Sequence, residues 1–222
     1  MTCSPLITHH AGYGDGRFLP TEGRPTFAVR DPATGDVLAE LPRYDAATVA
    51  ELVDAAAKAL ATPTTVEARA GYLRGICAAH LEHRDELARL ITLENGKPLA
   101  EAKVEVEYAA GFYRAAADEI DVVRPRELAA RPKGLTWTVH ARPAGVAGLI
   151  TPWNFPLAML AKKLAGAVAG GAPAVIKPAE KTPLSPLALV HLIDEAEWPA
   201  GAVNLVFGDL VRSASWPAPT RR

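Results

Sequence analysis

The spacing of hydrophobic and polar positions divides the chain into predicted helices and strands. Four stretches carry apolar side chains at helical spacing and are predicted to be amphipathic helices: 46–61, 66–82, 85–93 and 99–120. Two short β-favouring runs, 27–30 and 37–41, flank a turn with Pro and Gly and predict a hairpin. The first residues show no period, so we expect a flexible arm at 1–25.

The pattern then changes to strand, helix, strand. Continuous apolar runs at 146–150 and 174–177 flank a mostly apolar stretch, 156–170, which ends in a Gly-Gly pair suited to a helix C-cap. Strands without polar alternation are typical of parallel strands buried on both faces, and such a crossover makes a right-handed βαβ unit. A helix at 185–196 and a strand at 202–207 continue this order. We therefore predict an α/β fold with an incomplete doubly wound, Rossmann-like parallel sheet, preceded by a helical N-terminal region.

Each of the two predicted parallel strands leads directly into polar residues. In open parallel sheets ligands bind beyond the carboxyl ends of the strands, so we expect both sets at one edge. The sets are Thr151, Pro152, Trp153 and Asn154 after the first strand, and Lys177, Pro178, Ala179 and Glu180 at the end of the second. Taken singly, Asn154 is equally well explained as a helix cap and Lys177 as a solvated cation. Their matching positions on two strands favour a ligand site.

The stretch 143–180 resembles the NAD(P)-dependent aldehyde dehydrogenase superfamily. The family pattern of P-x-G-V, I-x-P-W-N-F-P and K-P-(S/A)-E-x-T-P is matched nearly residue for residue and at the correct spacing. The resemblance extends upstream through Leu-Glu-Asn-Gly-Lys-Pro at 93–98 to about Phe27, and downstream to Gly208. It therefore covers most of the chain. Both motifs look most like those of the succinate-semialdehyde dehydrogenases.

The resemblance implies an oxidoreductase that converts an aldehyde to the acid with NAD or NADP. In the family a Cys thiolate attacks the aldehyde, hydride passes to the nicotinamide, and a Glu base helps water to hydrolyse the thioester. Asn154 matches the catalytic position whose side-chain amide stabilises the oxyanion. Lys177 and Glu180 match contacts to the adenosine ribose, where a cation also tolerates a 2′-phosphate. The other motif residues match positions that lie against the cofactor: Ile150, Thr151, Pro152, Trp153, Pro178 and Ala179.

The match stops before the family pattern is complete. After the third predicted strand the sequence shows no Gly-rich phosphate-binding helix, no catalytic Cys motif and no Glu base motif. We expect 26–209 to be the N-terminal part of the cofactor-binding domain, with an oligomerisation-type strand region at about 124–141. The irregular tail at 210–222 is expected to lie outside the family. A frameshift or premature end near Asp209 or Leu210 is one hypothesis for it, and a natural disordered tail is the alternative.

Two consequences follow from this partial resemblance. We expect the polypeptide of 222 residues to be inactive on aldehydes by itself. The alternatives are a non-catalytic fragment that binds nucleotides or assembles with a full-length relative through the strand around Trp137, and a gene remnant that folds poorly. Family members form homo-oligomers, an assembly that a fragment need not retain.

Glu197 departs from the family, which usually has Gly there to end a helix at positive φ.

Composition and charge argue against other classes of function. The formal charge of −1, with interspersed acids and bases, offers no basic surface for nucleic acid, and no apolar run is long enough for a membrane helix. Two cysteines make no disulfide framework and no secretory signal is evident, so the expected compartment is the cytoplasm. No metal site is expected, because His80 and His83 are predicted to lie at the surface and the acids of 99–120 to form a solvated face. Cys77 is predicted to be a buried structural thiol.

Overall fold

A mixed sheet at the centre of the protein contains the predicted parallel strands. The computed structural model describes residues 4–129 and 132–208. Strands β2, β1, β9, β8 and β7, in this spatial order, form the central sheet, while β3 pairs with β4 and β5 with β6. In chain order the strands are β1 (Tyr13–Gly14), β2 (Arg17–Phe18), β3 (Thr26–Arg30), β4 (Val37–Pro42), β5 (Arg126–Glu127), β6 (Thr138–Val139), β7 (Ala147–Ile150), β8 (Ala174–Lys177) and β9 (Val203–Leu205).

Capping residues mark one end of each of four helices, among them the Gly-Gly pair that the sequence predicts. Asp45 and Thr65 precede the first two helices, and each side chain accepts a hydrogen bond from the N–H three residues later, at 2.9 and 3.1 Å. Gly96 and Gly171 end two others in the left-handed conformation, both with φ of 76°. The α-helices are α1 (Ala46–Ala61), α2 (Val66–Glu82), α3 (Arg84–Asn95), α4 (Leu99–Asp118), α5 (Ala158–Gly170) and α6 (Leu184–Glu195), with a short 3-10 helix at Ile120–Val123.

Strands β7, β8 and β9 run parallel, which confirms the predicted α/β class. Ala147 pairs with Ala174 and Ile150 pairs with Lys177, so β7 and β8 end in register. Helix α5 connects β7 to β8, and α6 connects β8 to β9. Because the strands are parallel and in register, the residues that follow β7 and β8 leave the sheet at the same edge.

The N-terminal segment is part of the central sheet, contrary to the predicted flexible arm at 1–25. Tyr13 is buried and pairs with β9 in antiparallel fashion. Nε2 of His191 on α6 accepts hydrogen bonds from the backbone N–H groups of Thr8 and His9, at 3.2 and 3.1 Å. Two-residue strands leave no hydrophobic period in a sequence, so the pattern could not reveal them. The prediction is wrong for the part of the arm that the structure describes.

His80 lies in the core, contrary to the prediction that it is a surface residue. It is 0% exposed, its Nδ1 lies 2.9 Å from the carbonyl oxygen of Ile76, and its ring contacts Tyr113. Burial lowers the pKa of His80 to about 4, so the imidazole is neutral. His83 is partly exposed and lies 3.2 Å from Glu86. Among the described residues, no group of three or more His, Cys, Asp or Glu side chains could hold a metal ion.

In the described part of the region 124–141, where an oligomerisation-type strand region is expected, two short strands form a hairpin. Strands β5 and β6 pair antiparallel, and Trp137 beside them is 48% exposed. A role of this hairpin in oligomerisation stays a prediction.

Cys77 on α2 is buried, as predicted. Asp209, Leu210 and the tail 210–222 lie outside the described residues. Within residues 4–129 and 132–208, no helix has both the length and the apolar character needed to cross a membrane.

Candidate functional site

The loops that follow β7 and β8 lie together at the carboxyl edge of the sheet. The backbone N–H of Thr151 donates to the carbonyl oxygen of Lys177 at 3.3 Å, which extends the strand pairing into the loops. The hydroxyl of Thr182 donates to the carbonyl oxygen of Trp153 at 3.4 Å and joins the loops a second time. The structure therefore places the two polar motifs side by side.

A buried lysine and a carboxylate form an ion pair at the end of β8. Lys177 is 7% exposed, and its ammonium group contacts the carboxylate of Glu180, which is partly exposed. Pro178 and Ala179 lie between them, and the carbonyl of Ala179 accepts a hydrogen bond from the N–H of Thr182 at 3.2 Å. Moving a Lys side chain out of water is costly unless a partner compensates its charge. Glu180 supplies that partner, and the pair offers a donor and an acceptor in one place.

Exposed apolar and unpartnered polar groups lie next to this ion pair. Ile150 and Trp153 are 59% and 56% exposed although both are large and apolar. Pro152 and Asn154 are also exposed, and the amide of Asn154 has no hydrogen-bond partner among the residues that the structure describes. The hydroxyl of Thr151 is buried and has no partner within the part of the chain that the structure describes. A ligand with both polar and planar apolar groups could cover the exposed side chains and bond to the amide of Asn154.

Glu105 on α4 holds the start of α5, a role that the sequence pattern did not reveal. It is 2% exposed, and its Oε1 accepts hydrogen bonds from the N–H groups of Leu157 and Ala158 at 3.0 and 3.2 Å. A carboxylate at a helix N-terminus satisfies free N–H groups and interacts favourably with the helix dipole. The predicted solvated acidic face is therefore wrong for this residue. Its position in the apolar stripe of α4 was the available signal, shared with Ala102, Val106 and Ala109.

Glu94 holds the start of α6 in the same way. It is 3% exposed, and it accepts hydrogen bonds from the N–H groups of Leu184 and Ser185, at 2.7 and 2.8 Å, and from the hydroxyl of Ser185. Burial raises the pKa of Glu94 to about 7, although these hydrogen bonds act in the opposite direction. Because α6 follows the Lys177–Glu180 loop, Glu94 anchors that loop at its far end.

Two further side chains bind the carbonyl groups of the loop after β7. Nδ2 of Asn95 donates to the carbonyl oxygen of Trp153 at 2.8 Å, and Nζ of Lys97 donates to that of Asn154 at 3.1 Å. Both residues belong to the 93–98 segment, which resembles the family, but the resemblance implied no role for either of them. Sequence spacing alone could not show that this segment contacts a loop more than 50 positions away.

A groove of about 580 Å³ gives access to the site loops from solvent. The hairpin of β3 and β4 forms one side through Phe27 and Arg30, and the other side includes Trp153, Glu180 and Thr182. Because aromatic, cationic and carboxylate side chains line this groove, it suits a ligand that has both apolar and charged parts. The groove therefore belongs to the candidate site.

Comparison with solved structures supports the fold of the site. An oxidoreductase from Marinobacter aquaeolei superposes with a TM-score of 0.92 at 43% identity, over 97% of this chain and 46% of that one. A betaine aldehyde dehydrogenase from Staphylococcus aureus, solved in complex with NAD+, superposes with a TM-score of 0.87 at 28% identity, over 92% and 41%. The likeness thus extends over more than nine-tenths of this chain.

Sequence relatives point to the same family. The chain is 40% identical over 209 residues to a protein of Saccharomyces cerevisiae named succinate-semialdehyde dehydrogenase (NADP(+)), covering 91% of this chain and 41% of that protein. It is 41% identical over 196 residues to a protein of the same name in Escherichia coli, covering 87% and 41%. The chain thus spans less than half the length of these relatives. Residues 18–214 match the aldehyde dehydrogenase family, and the chain therefore belongs to that family.

Proposed function

We propose that the chain carries the nucleotide-binding edge and one oxyanion donor of an NAD(P)-dependent aldehyde dehydrogenase. The whole protein would oxidise a semialdehyde, such as succinate semialdehyde, to the acid. The observation that carries this proposal is the exposed amide of Asn154, which has no partner among the described residues. Its loop is hydrogen-bonded to the loop of the Lys177–Glu180 ion pair, at aligned strand ends. Similarity to proteins named succinate-semialdehyde and glutarate-semialdehyde dehydrogenase supports the substrate class.

The residues at the edge of the sheet fit NAD or NADP. Lys177 and Glu180 would hold the ribose hydroxyls, since an ammonium group donates and a carboxylate accepts. The exposed side chain of Ile150 would lie against the bound nucleotide, next to the backbone of Thr151. When bound, the nicotinamide accepts a hydride from the substrate carbon. In the whole protein, the residues of this chain would bind the nucleotide, orient it and keep water away from its apolar parts.

Asn154 would stabilise the negative charge that develops on the aldehyde oxygen. Its backbone is held by hydrogen bonds on both sides while its side-chain amide has no partner among the described residues. A donor fixed before the reaction stabilises the charge without the cost of reorientation. One such donor contributes about 3–4 kcal/mol to the lowering of the barrier.

A second candidate function is a nucleotide-binding fragment that assembles with a longer relative and has no catalytic role of its own. The hairpin of β5 and β6 favours it, because Trp137 and Val139 are 48% and 39% exposed next to a short sheet edge. The cytoplasm is the proposed compartment for either function, since a reducing environment suits the unpaired thiol of Cys77.

Calorimetric titration of the purified chain with NAD+ and with NADP+ tests the nucleotide-binding part of the proposal. We expect saturable binding of at least one of them, and an affinity about tenfold lower in Lys177→Met, as for one lost charge-assisted hydrogen bond. Glu180→Gln, at a more exposed position, should weaken binding in the same direction. Lys163→Met on the exposed face of α5 is the matched control and should bind as the wild type does. Absence of saturable binding of both nucleotides to the folded wild type would contradict the proposal.

A further inference from the structure

The turn that carries Asn154 depends on distant side chains for its hydrogen bonds. Strand β7 ends at Ile150 and α5 begins at Ala158, and the carbonyl groups of Trp153 and Asn154 between them are bonded by side chains of other segments. Asn95 donates to the carbonyl of Trp153 at 2.8 Å, and Lys97 donates to the carbonyl of Asn154 at 3.1 Å. One short segment thus holds the peptide groups on both sides of Asn154, and Thr182 adds a longer bond of 3.4 Å to the carbonyl of Trp153.

The ammonium group of Lys97 is surrounded by three acceptors. It contacts the carboxylate of Glu105, lies 3.1 Å from the carbonyl oxygen of Asn154 and lies 3.9 Å from the ring centre of Phe155. A lysine has three N–H donors, so this set matches its full capacity, with the aromatic face as the third partner. The side chain is only 11% exposed. Lys97 is therefore held in one position and cannot follow the turn if the turn moves.

The segment that presents Asn95 and Lys97 is itself fixed. Gly96 between them ends α3 with φ of 76°, and its N–H donates to the carbonyl of Thr92 at 2.9 Å. A Cβ atom at Gly96 would lie 3.0 Å from Pro32, so the backbone packs closely against the β3–β4 hairpin. The two side chains therefore extend from a corner with little freedom of its own.

We propose that Asn95 and Lys97 are positioning residues for Asn154, which fix its neighbouring peptide groups and so direct its free amide. They would do this without contacting nucleotide or substrate. The inference rests on the proposed function of Asn154. Whether Asn95 and Lys97 hold the turn in place, here called the clamp, can be measured even if that function is wrong. A merely structural Lys97 would only compensate the buried charge of Glu105. A positioning Lys97 would be needed even when that charge is removed.

Nuclear magnetic resonance on the isotope-labelled chain separates these two roles. We expect lower heteronuclear NOE values for residues 153–155, with unchanged values in β8, in Asn95→Ala compared with the wild type. We expect the same in the double variant Lys97→Met with Glu105→Gln compared with Glu105→Gln alone, because Glu105 itself holds the start of α5. The carbonyl carbon signal of Trp153 should shift in the first variant, because it keeps only the longer bond from Thr182, and that of Asn154 should shift in the second, because it loses the Lys97 donor. Lys103→Met, whose partly exposed side chain pairs with Asp85, is the matched control and should leave the turn unchanged.

The outcomes decide the inference in either direction. A turn as ordered in both variants as in the protein with which each is compared would overturn it, as would loss of order spread evenly over the chain. If the double variant does not fold, Asn95→Ala still decides, because its side chain is partly exposed and its loss leaves no buried charge. The same variants are titrated with NAD+ and NADP+, with an expected loss of up to about tenfold in affinity. A wild type that binds neither nucleotide would contradict the proposed function, while the order of the turn still tests the clamp.

Discussion

At the scale of single residues, burial decides what each charged side chain does. Glu105 lies on the same helix as Glu101 and Glu107, which are exposed, yet it is buried and bonded to two backbone N–H groups of α5. Glu94 has the same role at α6. Each carboxylate stabilises the helix that follows one of the two site loops. The loops of the site are thus held by buried acidic residues of other helices.

The raised pKa of Glu94 predicts a dependence of stability on pH. Its value of about 7 in the folded protein lies above the ordinary 4.5, so its contribution is complete below pH 4.5 and is lost as the pH rises through 7. Glu94→Gln removes this titration but turns an amide donor towards backbone N–H groups, a cost of about 1–3 kcal/mol. We expect the wild type to be more stable than the variant at pH 5, with a smaller difference at pH 8. Urea unfolding at several pH values measures it.

His80 contributes with the opposite sign and remains in both proteins. Its pKa of about 4 lies below the ordinary 6.5, so its contribution is present above pH 6.5 and is lost as the pH falls through 4. Comparing Glu94→Gln with the wild type at each pH cancels this effect. A difference that grows towards pH 8 would show that the three hydrogen bonds outweigh burial and keep the pKa of Glu94 low.

At the scale of elements, the end of α6 shows a boundary set by backbone geometry. The N–H of Glu197 donates to the carbonyl of Asp194 at 3.0 Å, and the N–H of Trp198 donates to that of Ile193 at 3.5 Å, the two bonds of a Schellman motif. This motif needs a left-handed residue, and Glu197 has φ of 50°. The positive φ inferred from the family's usual Gly is therefore confirmed in a chain that has Glu.

Replacing Glu197 with Gly should stabilise the protein. A side chain in the left-handed region costs about 1–2 kcal/mol, part of which the greater freedom of Gly in the unfolded state offsets. We expect a net gain of about 0.5–1 kcal/mol, or a rise in Tm of a few degrees. Ala196→Gly is the matched control, because Ala196 has φ of −84° and should lose about 0.5–1 kcal/mol. A lower Tm for Glu197→Gly would show that its side chain makes a compensating contact.

At the scale of the whole molecule, the described residues form a candidate binding edge without a reactive thiol beside it. Cys77 is buried on α2, and burial raises its pKa, which disfavours the nucleophilic thiolate. The neighbouring groups of the site provide an ion pair and an amide, and neither can form a covalent intermediate with an aldehyde. Catalysis would need residues beyond those that this chain places at the edge.

We therefore expect the purified polypeptide of 222 residues to form no NADH or NADPH from succinate semialdehyde. Absorbance at the wavelength of the reduced nicotinamide measures it, with the full-length relative from Escherichia coli as the positive control. Cys3→Ser and Cys77→Ser should leave the background unchanged. Turnover that one of these substitutions abolishes would contradict the expectation and would identify the nucleophile.

Features set by neighbouring residues could be predicted from the sequence, whereas features set by contacts between distant segments could not. The C-cap at Gly171 and the strands β7 and β8 followed from the residue pattern within each segment. The motifs after both strands were expected at one edge, where the structure places them. The burial of His80 and the pairing of Tyr13 with β9 were missed, because both depend on contacts with segments remote in the chain.

The sequence by itself determined the helices, the strand–helix–strand unit and the edge at which its polar residues emerge, because periodicity, caps and strand direction are local properties. It also identified the family, because the motifs are specific and correctly spaced. Only the tertiary structure decided which acids are buried and which side chains hold the site loops. Glu105 meets Leu157 across 52 positions and Glu94 meets Leu184 across 90, and such contacts are set by how the elements pack.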